Sequence, residues 1–512
     1  MSISIAPDGR KYKFPTKEAN KEELKKLITI SEEQKKMGRK IVVVQGMGFV
    51  GSVMAAVVAD AEDADGNSPY FVHGHDLVSP RSFWKIHVIN SGQAPVSAED
   101  PEISKIFPRV VNGKKTLRAT WHEHVYKLAD FVVVDIQLDA IKPKFGNANS
   151  GYCDLSAFKK GMRTIGKNIQ PDCLILIETT VPPGTCQNVI KPIIEDEFKK
   201  RGINTEVHSP RIAHSYERVM PGKNYVGSIQ NFPRTFSGID KKSADLAEEF
   251  LENVLRVDKN KITRLGNTNA SELAKVMENS YRATNIALLS EWSKMAEKIG
   301  VNIFEIIESI KVRKGTHDNM LNPSLGVGGY CLTKDPVLAN WAARDIFHLK
   351  EQLPMAVHSV DINDKMPLHT VELIEDVFPH LIDKKVTILG VSYQKDVADT
   401  RHSPSKLLWD ELMKKDAIIK VHDPYVKIWH ELGDMRVEKD LQIALEETEI
   451  LIFAVGHSDY MQLEPEFVVE SAKNLSLVVD CSNFLSDEKI KKYLDNGCEI
   501  RAIGKGHIKD LK

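Results

Sequence analysis

A chain of 512 residues is too long for one hydrophobic core, and about three domains are expected. Its 69 Lys+Arg against 71 Asp+Glu exclude a general role on nucleic acid or an anionic membrane, while 42% hydrophobic and 27% charged residues are those of a soluble globular protein. No apolar run reaches the roughly 18 residues that cross a bilayer, and six cysteines with no CxxC pair or metal-ligand spacing point to a reducing cytoplasm and no metal site.

Residues 1–39 are polar and lysine-rich, with no signal-like apolar stretch, and read as an N-terminal extension carrying a helix near 18–37. Order begins at "KIVVVQGMGFVGSVMAAVVADA", where β-branched Ile41 to Val44 predict a buried strand and the glycines turn the chain into an apolar helix. "YFVHGHD" predicts a second strand. "DFVVVDI" (130–136), the helical "LSAFKKGMRTIGKNI" and "CLILIETTV" (173–181) continue the alternation. Strands that are nearly all apolar, alternating with helices, predict a parallel doubly wound sheet over 40–266.

From about 268 to Gly300 the chain carries no glycine or proline and predicts one long helix, a spine between domains and a candidate dimer interface. A further helical stretch is expected over about 334–378, within a central region of 267–380. "KKVTILGVSY" (384–393), "AIIKVHDPYV", "EILIFAVG" and "LSLVVDCSN" then predict a second, smaller α/β domain over 381–512.

Gly46-Met47-Gly48-Phe49-Val50-Gly51 fits G-x-G-x-x-G at a strand-to-helix junction. Gly46 allows the tight turn, Gly48 the approach of backbone amides to a pyrophosphate, and Gly51 close packing of helix on strand. Asp76 follows 25 residues after Gly51, placed to accept from ribose hydroxyls and to repel a 2′-phosphate, so NAD is expected over NADP. His73 and His75 beside it have no evident role. In "NPSLGVGGYCLTKDP" (322–336), Cys331 follows Gly326, Gly328 and Gly329. On these residues alone it is either a reactive thiol on a glycine-rich turn or a small apolar side chain.

"GMGFVG", "KIHVINSGQAPVSAEDPEI", "ETTVPPGT", "YERVMPG", "ELAKVMENSYRATNIALLSE", "GVGGYCLTKDP" and "VTILGVSYQKDVADTRHSPS" occur in that order over about 360 residues. With them the chain resembles the nucleotide-sugar 6-dehydrogenase family, the UDP-glucose, GDP-mannose and UDP-N-acetylhexosamine dehydrogenases, and its wording is nearest the last branch. The resemblance implies an α/β protein with two Rossmann-like doubly wound parallel sheets joined by a long central helix. It implies a homodimer or higher homo-oligomer, NAD as cofactor and a nucleotide sugar as substrate. The implied reaction is a four-electron oxidation of the sugar's 6-hydroxymethyl group to a uronate, through a cysteine thiohemiacetal and thioester.

By the same resemblance Cys331 is the nucleophile, and Lys275 and Asn279, four apart on one helix face, stabilise oxyanions and contact substrate. Asp335 acts in acid/base steps, Thr180 positions water near the cofactor, and Glu217 lines the site as a base for hydrolysis. Arg81, Lys334 and Arg401 join the glycine turn and Asp76 on the cofactor. Arg218, Asn322, Gly328, Tyr330 and Gln394 contact the sugar nucleotide. Besides the N-terminal extension, which compact members of the family lack, the chain departs from the family pattern in four places. "DIQLD" (135–139) replaces a V-P-T-P-like segment, putting two acids near the cofactor pocket. The usual S-P-E-R is split in "HSPRIAHSYER", Gln394 replaces a lysine, and Tyr330 replaces a smaller residue or histidine. UDP-glucose or GDP-mannose as substrate, and a catalytically silent sugar-nucleotide-binding homologue, stay open. A two-electron hydroxyacid dehydrogenase would lack the second α/β domain.

Overall fold

The β-branched run Lys40–Gln45 becomes an interior strand of an eight-stranded sheet. The computed structural model describes residues 3–512 except 97, 220, 221 and 257–260, so Met220 and Pro221 of "YERVMPG" lie outside the described residues. The chain divides into two units, and the boundary falls inside the long helix Thr268–Ile299, between Val276 and Met277. The first unit holds Met1–Asp139, Cys153–Val276 and Ala342–Leu349, and the second holds the remaining segments.

In the first unit the strand order is Ile262–Arg264, Arg234–Gly238, Arg211–Tyr216, Leu174–Ile177, Phe131–Val134, Lys40–Gln45, Tyr70–His75 and Leu117–Thr120. All neighbours run parallel except Arg211–Tyr216 against Arg234–Gly238, so the expected parallel sheet has one antiparallel pair. The helix Phe49–Asp60 buries every residue from Gly51 onward, which is why its sequence is apolar all round rather than amphipathic.

Residues 3–36 are built into this unit. A hairpin, Ile3–Ile5 with Lys11–Lys13, leads to the helix Lys17–Lys36, capped by Thr16, whose side chain accepts from the Ala19 amide. Nη1 and Nη2 of Arg118 each donate to the buried Glu23 carboxylate at 2.6 Å, as does the Thr120 hydroxyl. Ser31 bonds His73 at 3.0 Å. The two histidines beside Asp76 are thereby explained: His73 anchors this helix and His75 bonds Tyr126 at 2.8 Å.

The second unit carries a five-stranded parallel sheet in the order Ile418–His422, Lys385–Leu389, Ile450–Phe453, Leu477–Asp480 and Glu499–Ala502. Its last strand was not anticipated, because "EIRA" alternates instead of presenting an apolar run. The helical stretch expected over 334–378 is three helices, Asp335–Asp345, Pro354–Asp364 and Met366–Glu375. Pro354 and Pro367 each lie in the first turn of a new helix, where a missing N–H costs nothing. The long helix runs unbroken as expected, and its second-unit part exposes Met277, Tyr281, Leu288, Trp292 and Met295 along one face. Among the described residues no helix is long and apolar enough to cross a membrane.

Candidate active site

Three glycines of the dinucleotide turn answer to three constraints. Gly46 sits at φ +97°, and a Cβ there would lie 2.6 Å from the Asp135 carbonyl oxygen. At Gly51 a Cβ would lie 2.1 Å from the Gly46 carbonyl oxygen. At Gly48 a Cβ would meet no protein atom within 4 Å, and no side chain caps the helix that starts at Phe49. The helix N-terminus therefore offers its amides and partial positive charge to an anion. Buried Met47 donates its amide to Asp76 Oδ2 at 3.2 Å, and Leu77 donates to Oδ1 at 2.8 Å. Phe49 stacks on Tyr225 with ring centroids 5.1 Å apart, and Val50 follows half-buried. An open cradle at Gly48 with a fixed carboxylate at Asp76 fits a dinucleotide whose ribose hydroxyls are free. Arg81 is exposed in the loop after Asp76.

Also in the first unit, Lys275 Nζ donates to the Glu217 carbonyl oxygen at 2.7 Å and lies 5.3 Å from the Tyr216 ring centre. The Glu217 carboxylate accepts from the Val219 amide, and Arg218 reaches the Pro233 carbonyl at 2.6 Å. Thr180 is buried in the loop after Leu174–Ile177. That loop is pinned by Glu272, a residue not anticipated from the sequence, which accepts from the Gly184 and Cys186 amides at 2.6 and 2.8 Å. Burial raises the Glu272 carboxyl to about 7 against those bonds.

The second unit gathers its own set. Of the six cysteines, Cys331 is the one not buried. Its carbonyl accepts from the Asp335 amide at 2.9 Å, opening the helix Asp335–Asp345. The Asp335 side chain is fully buried and doubly bound, to Asn279 Nδ2 at 2.6 Å and Lys334 Nζ at 3.0 Å. Tyr330 is flanked by cations: Lys334 lies 5.7 Å and Arg401 5.6 Å from its ring centre. Asp399 holds Arg401 through both Nε and Nη2. A Cβ at Gly328 would lie 2.7 Å from Tyr393 Cβ and 2.8 Å from Pro404 Cδ, and one at Gly329 2.7 Å from the Tyr393 ring. The glycines are thus required by packing on Tyr393 and Pro404, a reason their spacing does not reveal. Burial, aided by Asp399 and Cys331, raises the Tyr393 hydroxyl to about 12. Gln394 is exposed at the rim of a cavity of about 210 Å³, lined also by Ser324, Gly326, Gly456 and Ser482. Gln394, Gly456 and Ser482 follow the C-terminal ends of Lys385–Leu389, Ile450–Phe453 and Leu477–Asp480, where α/β sheets bind ligands. Asn322 is exposed in the loop leading to Cys331.

A phosphate-cradling turn, an acid after the second strand and a doubly wound sheet define an NAD-dependent oxidoreductase. Residues 39–256, 269–365 and 387–487 match the NAD binding, central and UDP binding domains of the UDP-glucose/GDP-mannose dehydrogenase family. A UDP-N-acetyl-D-mannosamine dehydrogenase of Methanococcus vannielii is 30% identical over 485 residues, covering 93% of this chain and all of that one. A crystal structure of the NDP-N-acetyl-D-galactosaminuronic acid dehydrogenase of Methanosarcina mazei superposes with a TM-score of 0.77 at 27% identity, covering 95% of this chain and 99% of that one. A UDP-D-ManNAc dehydrogenase structure from Pyrococcus horikoshii gives 0.76 at 26% identity, covering 91% of this chain and all of that one. The chain belongs to the UDP-glucose/GDP-mannose dehydrogenase family and is an NAD-dependent nucleotide-sugar dehydrogenase.

Proposed function

We propose that the protein oxidises the 6-hydroxymethyl group of a UDP-N-acetylhexosamine to the uronate, with Cys331 as nucleophile. The observation that carries this reading is Cys331 itself, the one cysteine not buried, on a loop whose neighbour Asp335 organises Asn279 and Lys334. The sugar assignment is supported by whole-length similarity to proteins named UDP-N-acetyl-D-mannosamine dehydrogenase.

The net reaction takes the alcohol, two NAD⁺ and one water to the carboxylate, two NADH and three protons. Bound NAD supplies hydride acceptance, one per molecule; the glycine turn, Asp76, Arg81, Lys334 and Arg401 are assigned to hold it, with Thr180 beside it. The Cys331 thiolate adds to the aldehyde carbon and forms a thiohemiacetal, so the aldehyde does not escape between the two oxidations. The second oxidation leaves a thioester. Water then cleaves it and returns the thiolate, with Glu217 taking the water proton. Lys275 and Asn279 donate to the oxyanion; an amide has two N–H groups, and Asn279 gives one to Asp335. Asp335 acts in acid/base steps while holding Asn279 and Lys334 in place. Arg218, Asn322, Gly328, Tyr330 and Gln394 are assigned to the sugar nucleotide, with the nucleotide at the sheet-end cavity.

Initial rates of NADH formation on a panel of UDP- and GDP-sugars test this. The expected outcome is the highest kcat/KM on a UDP-N-acetylhexosamine, with Cys331→Ser losing turnover by on the order of a thousandfold or more. A preference for UDP-glucose or GDP-mannose overturns the substrate, and an active Cys331→Ser overturns the nucleophile.

A further inference from the structure

Asp135 follows the strand Phe131–Val134 directly against the dinucleotide turn. Its carbonyl oxygen limits Gly46, and its Oδ2 lies 3.2 Å from where a Cβ would sit at Gly51. Glu178 follows the neighbouring strand Leu174–Ile177 and donates its amide to the Val134 carbonyl at 3.1 Å, which places the two acids side by side. Asp135 Oδ2 and Glu178 Oε2 are both buried, and neither has a donor among the described residues. Glu178 Oε1 accepts from Arg234 Nη1 at 2.7 Å, with both side chains sealed from solvent.

Two ionised carboxylates do not share a buried contact without a donor between them, whereas one proton satisfies both orphan oxygens. Arg234 keeps Glu178 the ionised member, so the proton belongs to Asp135. We propose that Asp135, as the neutral acid donating to Glu178, is a positioning residue for the cofactor that keeps the floor of the dinucleotide turn uncharged beneath the NAD pyrophosphate. Among the described residues the charged groups acting most strongly on Asp135 are Glu178, Glu217 and Arg234. Burial, then the two glutamates, raise its proton affinity far above that of an ordinary carboxyl, and Arg234 opposes them. Loss of the proton at alkaline pH puts a buried negative charge under an anion-binding turn, so NAD binds more weakly there. The inference rests on NAD binding alone and is independent of which sugar is oxidised.

The test is calorimetry of NAD binding to the intact protein from neutral to alkaline pH, with difference infrared spectroscopy for a protonated carboxyl. Wild type is expected to show that carboxyl still protonated above the range near 7 in which the Glu272 carboxyl ionises, and an NAD dissociation constant that rises roughly tenfold at higher pH. Asp135→Asn, whose amide still donates to Glu178, should lack the band and lose the pH dependence. Glu178→Gln gives a second arm if the first variant fails to fold: its amide donates to Asp135, which ionises, so the band disappears and NAD binds weakly already at neutral pH. A missing wild-type band, parallel pH profiles for wild type and Asp135→Asn, or a band retained in Glu178→Gln overturns the proposal.

Discussion

Gly46 and Gly48 stand two residues apart in one motif, yet the fold constrains them differently. An alanine at 46 would combine a left-handed backbone with a 2.6 Å overlap on a carbonyl oxygen. An alanine at 48 would meet nothing in the protein. Gly46→Ala is therefore expected to destabilise the first unit by about 1–3 kcal/mol. Gly48→Ala should fold like wild type and bind NAD roughly tenfold or more weakly, because its methyl group fills the cradle. Thermal melts paired with NAD titrations check both, and equal loss of stability in the two variants would contradict this division. The glycine turn and Cys331 were legible as motifs because backbone geometry and thiol chemistry each demand a particular residue type. The Asp135–Glu178 contact was not, since its members are 43 positions apart and meet only through parallel register. "DIQLD" signalled an anomaly near the cofactor pocket without revealing the partner.

At the scale of elements, the first unit is fastened by neutral buried histidines. Burial lowers His73 to about 3, His75 to about 4 and His214 to about 3, from 6.5. His73 ties the N-terminal helix to the sheet, and His214 bonds Ser271 of the long helix at 2.7 Å. Between those values and 6.5 the unfolded chain binds more protons than the folded one. Stability from these groups is thus complete above pH 6.5 and falls as pH drops toward 3–4. Denaturant unfolding at stepped pH, followed by tryptophan fluorescence, should show a loss of several kcal/mol over that range, on the order given by three such shifts. A flat profile would contradict neutral buried imidazoles. Strands rich in β-branched residues and the 32-residue helix were readable from pattern alone. The breaks near Pro354 and Pro367 lay inside a run read as one helical stretch, and the alternating strand Glu499–Ala502 carried too weak a signal. The N-terminal segment reads as an extension because its anchors, Glu23 and Ser31, are polar residues with partners about 40 to 100 positions away.

Over the whole molecule, two α/β sheets and a long helix reproduce the organisation that the ordered motifs imply, and the family assignment spans nearly the full chain. The assigned catalytic groups divide between the units. Lys275, Glu217 and Thr180 belong to the first, and Cys331, Asn279 and Asp335 to the second. The four-electron chemistry is the central claim, because it alone requires the thiol. It is tested most directly by the amount of NADH formed per nucleotide sugar consumed, measured by absorbance at exhaustion of a limiting UDP-N-acetylhexosamine with NAD in excess. Two NADH for each sugar and a uronate as sole product are predicted; one NADH with an accumulating aldehyde would contradict the account.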